Sequence, residues 1–177
     1  PFTLRLAILG MSVALILALP LGVMAAIKQN SLFDNFSMAL ALLGISLPTF
    51  WLGLLGILLF SVALHWLPSG GVGGIKSAIL PVLAMSMSCL AGIARTTRSS
   101  MLEVIRSDYI RTARAKGLSE TTIVVRHALK NAMIPTLTVI GLQVCTMISA
   151  TVLVESIFSW PGIGRLLVTA INDRDMP

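Results

Sequence analysis

The chain has 177 residues, of which 56% are hydrophobic and 11% charged, with a mean hydropathy of +0.93. Soluble domains carry about 25% charged residues, so this mixture cannot cover a water-facing surface, and a soluble globular protein is excluded. Thirteen Lys and Arg against seven Asp and Glu give a net charge of +6, but the basic residues cluster between apolar runs, which marks membrane topology rather than nucleic-acid binding.

The first predicted span is Leu6 to Ile27, uncharged and long enough for about 30 Å of hydrocarbon at about 1.5 Å per residue. It begins almost at the start of the chain, with no basic n-region or cleavage site, and so does not read as a signal peptide. Both ends of the chain read as cut from a longer protein. Pro20 and Gly22 are tolerated in a membrane helix, where neighbours satisfy freed backbone groups. A polar link follows, with Asn30-Ser31 and Asp34-Asn35 as turn and cap residues.

The second predicted span, Phe36 to Leu64, exceeds the thickness of a bilayer and must tilt, kink or protrude. Pro48 removes a donor in mid-helix and places the kink. Trp51 lies deep and is expected to face protein, whereas Trp66 suits an interface belt and His65 a solvated boundary. Residues 65–78 form a loop, because the run Pro68-Ser69-Gly70-Gly71-Val72-Gly73-Gly74 cannot hold a helix.

The third span is Ile79 to Ala94, with Pro81 in its first turn. Ala84, Ser86, Ser88, Ala91 and Gly92 permit close helix packing. Met85 and Met87 read as packing residues. Cys89, and Cys145 further on, read as small buried side chains.

Residues 95–131 are the longest polar segment and hold eight of the thirteen basic residues. Arg95 to Ser107 continues the third helix into water, with Leu102, Ile105 and Tyr109 on one face. Gly117 breaks the turns formed by Tyr109 to Lys116. Ser119 is an N-cap for another helix, with Glu120 in its first turn and Val124, Val125, Ala128 and Leu129 as its buried face. The product is a helix, a glycine turn and a helix, a compact knob rather than a solvated tether. The positive-inside rule places it in the cytoplasm, so alternation puts residues 28–35 on the same side and residues 65–78 and 155–177 outside.

The fourth span is Ala132 to Val154, opened by Pro135 in its first turn. The tail, 155–177, holds the turn-rich Phe158–Gly164 stretch and then Leu166, Leu167 and Ala170 on one face of a short helix.

No catalytic or metal-binding constellation is present: HExxH, GxSxG and any plausible Cys/His spacing are all absent. As drawn, the four spans contain no Asp, Glu, Lys or Arg, which counts against an ion-coupled carrier. A channel or ion-coupled carrier remains the rival class, with a structural membrane anchor beside it.

At this point several motifs agree in order. They are Leu43–Gly53, the run Tyr109-Ile110-Arg111-Thr112-Ala113-Arg114-Ala115-Lys116-Gly117-Leu118, and Arg126–Ala132 with Pro135. Phe158–Arg165 and Asn172–Pro177 complete the series. This series resembles the permease subunits of binding-protein-dependent ABC importers, with an EAA loop of the form seen in the dipeptide, oligopeptide and nickel branch. Arg111 and Thr112 stand where the general motif has Glu-Ala, as in that branch.

The resemblance implies an all-α polytopic bundle of the type I ABC importer permease fold in a bacterial inner membrane, with 1–177 as its permease domain. Outer helices would be missing at both ends. Residues 95–131 would be the coupling loop that docks in a groove of a separate cytoplasmic ATPase. Ile110, Arg111, Thr112, Ala113, Arg114, Lys116, Gly117, Leu118 and Val124 would form the contact. Within it, Ile110, Ala113, Leu118 and Val124 would fill the groove, and Gly117 would permit the turn. ATP and Mg would bind the ATPase, with no cofactor on this chain. A second permease, an external binding protein and lipid would be partners. The cargo would be a short peptide, or alternatively nickel or a metal chelate. Ser46, Gln143, Thr146 and Ser149, polar at membrane depth, are expected to line the pathway.

Overall fold

The computed structural model describes residues 2–173. The end of the expected Asn172–Pro177 match, residues 174–177, lies outside them. Helix α1 (Phe2–Ile27) keeps Pro20 within it and buries Leu6, Gly10, Ala14, Ala18, Gly22, Ala25 and Ala26. Five of these, Gly10, Ala14, Ala18, Gly22 and Ala26, are small residues at a spacing of four, which places them on one stripe. The stripe faces α4 (Ile75–Ile105), and the two form the largest helix pair in the molecule. At Gly22 the approach is so close that a Cβ would lie 2.6 Å from the Ala94 carbonyl oxygen. This is small-xxx-small packing, which brings backbones together where lipid supplies no hydrophobic force between helices.

Helix α2 (Leu32–Ser46) starts at Ser31, whose hydroxyl accepts from the Asp34 amide at 3.2 Å. It stops where Leu47 turns to an extended conformation before Pro48, as the residue ahead of a proline tends to do. Pro48 then precedes α3 (Thr49–Gly56), which runs on to Ala63 in widened turns. The two halves are bent by 103°. The expected kink is therefore a break, and the single span drawn over 36–64 becomes two helices. Trp51 is 44% exposed rather than packed within the chain.

At 31 residues, α4 would reach about 46 Å, so it overshoots a hydrocarbon core at one or both ends. Its predicted continuation beyond Arg95 is present and stops at Ile105. Pro81 is its seventh residue, buried, and not in the first turn as expected. The last long helical run extends from Glu120 to Ile157, 38 residues. It comprises α6 (Glu120–Thr122), widened turns over Ile123–Ala128 and α7 (Leu129–Ile157). Pro135 is likewise interior, so the fourth span starts well before Ala132. Cys89 is buried as expected, but Cys145 is exposed.

Leu80, Met85, Ile93, Met147, Val154 and Phe158 fill the centre among α1, α4 and α7. Among the described residues, three helices are long and apolar enough to cross a membrane, and the bent α2–α3 pair is a candidate fourth crossing.

The α1–α4 crossing yields a stability test. Replacing Gly22 by Ala gains about 0.8–1 kcal/mol of helix propensity, but overpacking against a backbone carbonyl costs about 1–3 kcal/mol and wins. Gly141 in α7 has open space where a Cβ would go. Thermal unfolding in detergent should therefore fall for Gly22→Ala and hold or rise for Gly141→Ala. Equal behaviour of the two would show that the close approach is not limiting.

Candidate functional site

The basic segment folds as expected into a knob, and each turn has a local cause. Helix α4 ends as the Ser107 hydroxyl donates to the Val104 carbonyl at 2.6 Å. Helix α5 (Asp108–Ala115) follows, so the single face expected for Leu102, Ile105 and Tyr109 is interrupted at Arg106–Ser107. Gly117 stands at φ +77°, the left-handed conformation that glycine adopts without penalty. Its amide donates to the Arg114 carbonyl at 2.9 Å, and the Leu118 amide to the Ala113 carbonyl at 3.4 Å. These two bonds form the Schellman termination that satisfies the last carbonyls of α5. Ser119 then caps α6 by accepting from the Thr122 amide.

The knob has a core of its own. Met101, Ile110, Ala113, Ile123, Ala128 and Ala132 pack together with Ala26 from the end of α1. This corrects the groove-filling role expected of Ile110 and Ala113. Ile110 is fully buried and Ala113 is 8% exposed, because a helical hairpin this small needs its apolar side chains to hold α5 against α4 and α7. The buried face expected after Ser119 holds for Ala128, with Val124 and Leu129 packed against the core, but Ile123 takes an inner position and Val125 is 60% exposed. Val124 is half-buried, and Leu118 is 39% exposed.

Most of what remains outside is polar. Arg111, Thr112, Arg114, Lys116 and Gly117 are exposed. Tyr109, Thr112, Ala113, Lys116, Leu118 and His127 line a shallow hollow of about 330 Å³. The Asn131 amide donates to the Tyr109 hydroxyl at 2.7 Å, tying α5 to α7. Arg114 makes a two-pronged contact to Glu120 at 2.7 and 3.2 Å across the glycine turn. That carboxylate holds the Arg114 guanidinium above its ordinary pKa. Both groups are exposed, so the pair steadies the turn more than the fold.

The four polar residues expected along a pathway do not converge. Ser46 and Ser149 are exposed and donate to their own helices, at Leu42 (2.8 Å) and Cys145 (3.3 Å). Thr146 donates to the Gln143 side chain at 2.8 Å, and Gln143 also accepts from the Cys89 thiol at 3.5 Å. Of the four, only Thr146 lines the small cavity of about 80 Å³ that it shares with Thr49, Ser88 and Cys89 beside the α2–α3 break.

Two carboxylates just outside the predicted spans are buried. Asp34 is fully buried in the first turn of α2 and binds Arg98 of α4. The Ser31-x-x-Asp34 pattern signalled a capping arrangement, but nothing in one sequence pairs Asp34 with Arg98. At the opposite end of the bundle, Glu155 is also fully buried. Its carboxylate accepts from the Gly164 and Arg165 amides at 2.7 and 3.2 Å, capping α8 (Ile163–Asn172). A Cβ on Gly162 would collide with that carboxylate, which accounts for glycine in the Pro161-Gly162-Ile163-Gly164 turn. The face expected on α8 is solvent-facing within this chain, with Leu166 69% and Leu167 54% exposed. Ionisable groups therefore do enter the helices: Asp34 near the start of α2, Arg95 and Arg98 in the second half of α4, and Glu155 near the end of α7.

The division between inner and outer knob residues has a measurable consequence. Ile110→Ala removes a fully buried side chain and should destabilise the knob by about 2–5 kcal/mol, whereas Leu118→Ala at the surface should stay within about 0.5 kcal/mol. Amide hydrogen exchange over residues 108–132 should rise sharply in the first variant and remain unchanged in the second.

Comparison with known proteins places this architecture. Residues 18–177 match the family model described as binding-protein-dependent transport system inner membrane component. The di/tripeptide transport system permease protein of Pseudomonas aeruginosa is 46% identical over 100% of this chain and 61% of its own length. A putative peptide transport system permease of Brucella abortus is 45% identical over 100% of the chain and 59% of its own length. The glutathione transport system permease protein of Escherichia coli is 46% identical over 99% and 57%. The chain thus spans about six tenths of the length of these relatives.

Proposed function

The chain belongs to the family of binding-protein-dependent transport system inner membrane components, and from that premise we propose that it helps form the translocation pathway of an ATP-driven peptide importer. It is a multi-pass protein of the bacterial inner membrane. One observation supports the reading above the others: the knob is a self-cored block in which α4 and the 120–157 helical run meet. A push on such a block is delivered to both long helices, since packed elements move as units rather than deform. A solvated loop would absorb the same push.

In this reading a cytoplasmic ATPase, which binds ATP and Mg, receives the outer surface of the knob. Tyr109, Thr112, Lys116 and Leu118 around the hollow are the contact, and Arg111 and Arg114 at the rim steer association more than they hold it. Gly117 sets the turn, and Val124 supports it from behind. A second permease of the same kind completes the pathway, and an external binding protein delivers the cargo. The chain itself performs no chemistry on the cargo. Short peptides are preferred over nickel as cargo because the relatives above are named for peptides and glutathione.

The experiment is reconstitution of the full transporter into liposomes, with peptide uptake and ATP hydrolysis followed together. Peptide uptake that persists without ATP hydrolysis would refute the reading. Within it, Gly117→Pro should lower peptide uptake by about tenfold or more with ATP hydrolysis less affected, because proline's φ of about −65° cannot replace +77°. Gly117→Asn should retain most uptake, since asparagine tolerates the left-handed region.

A further inference from the structure

The Asp34–Arg98 pair has no place in the reading so far. Asp34 is fully buried, and both of its oxygens are occupied by one guanidinium. The Arg98 Nε donates to Oδ1 at 2.5 Å and Nη2 to Oδ2 at 2.6 Å. Oδ2 also accepts from the Asn30 amide at 2.9 Å, in the turn that joins α1 to α2. A second tie runs between the same regions, as the Arg106 guanidinium donates to the Gln29 side chain at 3.2 Å. Seven of the eight basic residues in the 95–131 segment are exposed, and Arg98 is the one drawn inward.

The positions of the two partners give the pair its consequence. Arg98 lies about two turns before the end of α4, which leads directly into the knob. Asp34 lies at the start of α2, which leads to the break at Leu47–Pro48. Apart from Asp34, the residues that α2 buries are Ser37, Ala41 and Gly44. Gly44 passes Ala91 and Met87 of α4 so closely that a Cβ would sit 3.2 Å from the Ala91 side chain. This contact is much shorter than the one α1 makes along α4, so by itself it fixes the register of α2 less firmly. A forked ion pair fixes distance and orientation together. Buried ion pairs add little stability over apolar packing of similar volume, and their best-attested use is to fix register.

We propose that Asp34 and Arg98 are positioning residues that carry movement of the knob into α2, and through it to the broken span. This rests on the importer reading above. When the ATPases displace the knob, α4 moves with it, and the pair makes α2 follow. The Leu47–Pro48 break takes up the difference between α2 and α3. Without the pair, the knob still responds to ATP but α2 slips.

The test uses the complete transporter in liposomes and reads peptides imported per ATP hydrolysed. Asp34→Asn and Arg98→Gln should each lower that ratio by about tenfold, with ATP hydrolysis within about twofold of the original. The double variant should be no worse than either single one, because both remove the same link. Arg98→Lys keeps the charge but loses the fork, so it should assemble normally and still lower the ratio. If the neutral variants fail to assemble, Arg98→Lys decides the matter alone. An unchanged ratio in assembled variants, or losses that add in the double variant, overturns the proposal. A purely structural role would reduce the amount of assembled transporter and leave the ratio intact. Lack of ATP-dependent uptake by the unsubstituted transporter would instead refute the importer reading.

Discussion

Close contact between α1 and α4 is the constraint on which the rest of the molecule depends. In hydrocarbon, apolar side chains gain nothing by leaving lipid for a neighbouring helix, so association needs dispersion contacts at short range. Gly10, Ala14, Ala18 and Gly22 provide them by removing side-chain bulk along one stripe of α1. With α4 fixed in this way, its far end is a firm base for the knob. Ala26, four residues beyond Gly22, takes the same stripe into the knob core, where it meets Met101 and Ile110. The membrane core and the knob core are thus two clusters joined along one stripe of α1, and the knob does not hang from a flexible stalk.

This continuity explains the division of labour within the basic segment. Its apolar residues are drawn inward to join α1, α4, α5 and the 120–157 run, and its charges are left outside. Ile110 and Ala113 look like docking residues when read beside their charged neighbours. They are placed on the inner face of α5 by helical spacing, since a three-residue step returns to the same side. The outer surface of the knob around its hollow is then formed by Tyr109, Thr112, Lys116 and Leu118, which is more polar than the segment's apolar content suggests. An interface of that kind gains specificity from geometry and charge, and its attachment to the membrane domain gains strength from the buried side.

Much of this was legible in the sequence. Length and apolarity located the long helices, because an uncharged run of that size has few other stable forms. Gly117 and Ser119 announced the turn and the cap through local chemistry that involves only their near neighbours. Pro48 announced a disturbance, but its 103° magnitude depends on how α3 packs against α4 and α7, which no local rule contains. Pro81 and Pro135 lie inside their helices rather than opening them, because composition marks where apolar residues begin, whereas hydrogen bonding decides where a helix begins. Asp34 and Glu155 were missed for a related reason. Hydropathy averaging trims a span at its first charge, yet both residues lie within the helices they terminate or anchor. The stripe on α1 is present in the sequence as small residues every four positions, but which helix it faces is set by tertiary packing.

The two buried carboxylates do opposite mechanical work. Glu155 binds backbone amides only a few residues away, so it stiffens a local turn. That turn is held further by the Gly71 amide, which donates to the Phe158 carbonyl, and by the Ile163 amide, which donates to the Thr3 hydroxyl. The glycine loop, the start of α1 and the tail are thereby gathered at one end. Asp34 binds a residue 64 positions away on another helix, so it joins two elements that could otherwise move independently. The molecule is thus tied at both ends, and the α2–α3 break, bent by 103°, lies between them. Large rearrangement within either tied end would sacrifice several buried hydrogen bonds, whereas a change of angle at Leu47–Pro48 sacrifices few, because proline has already removed a donor there. Motion of this chain is therefore channelled to the break by where its hydrogen bonds are not.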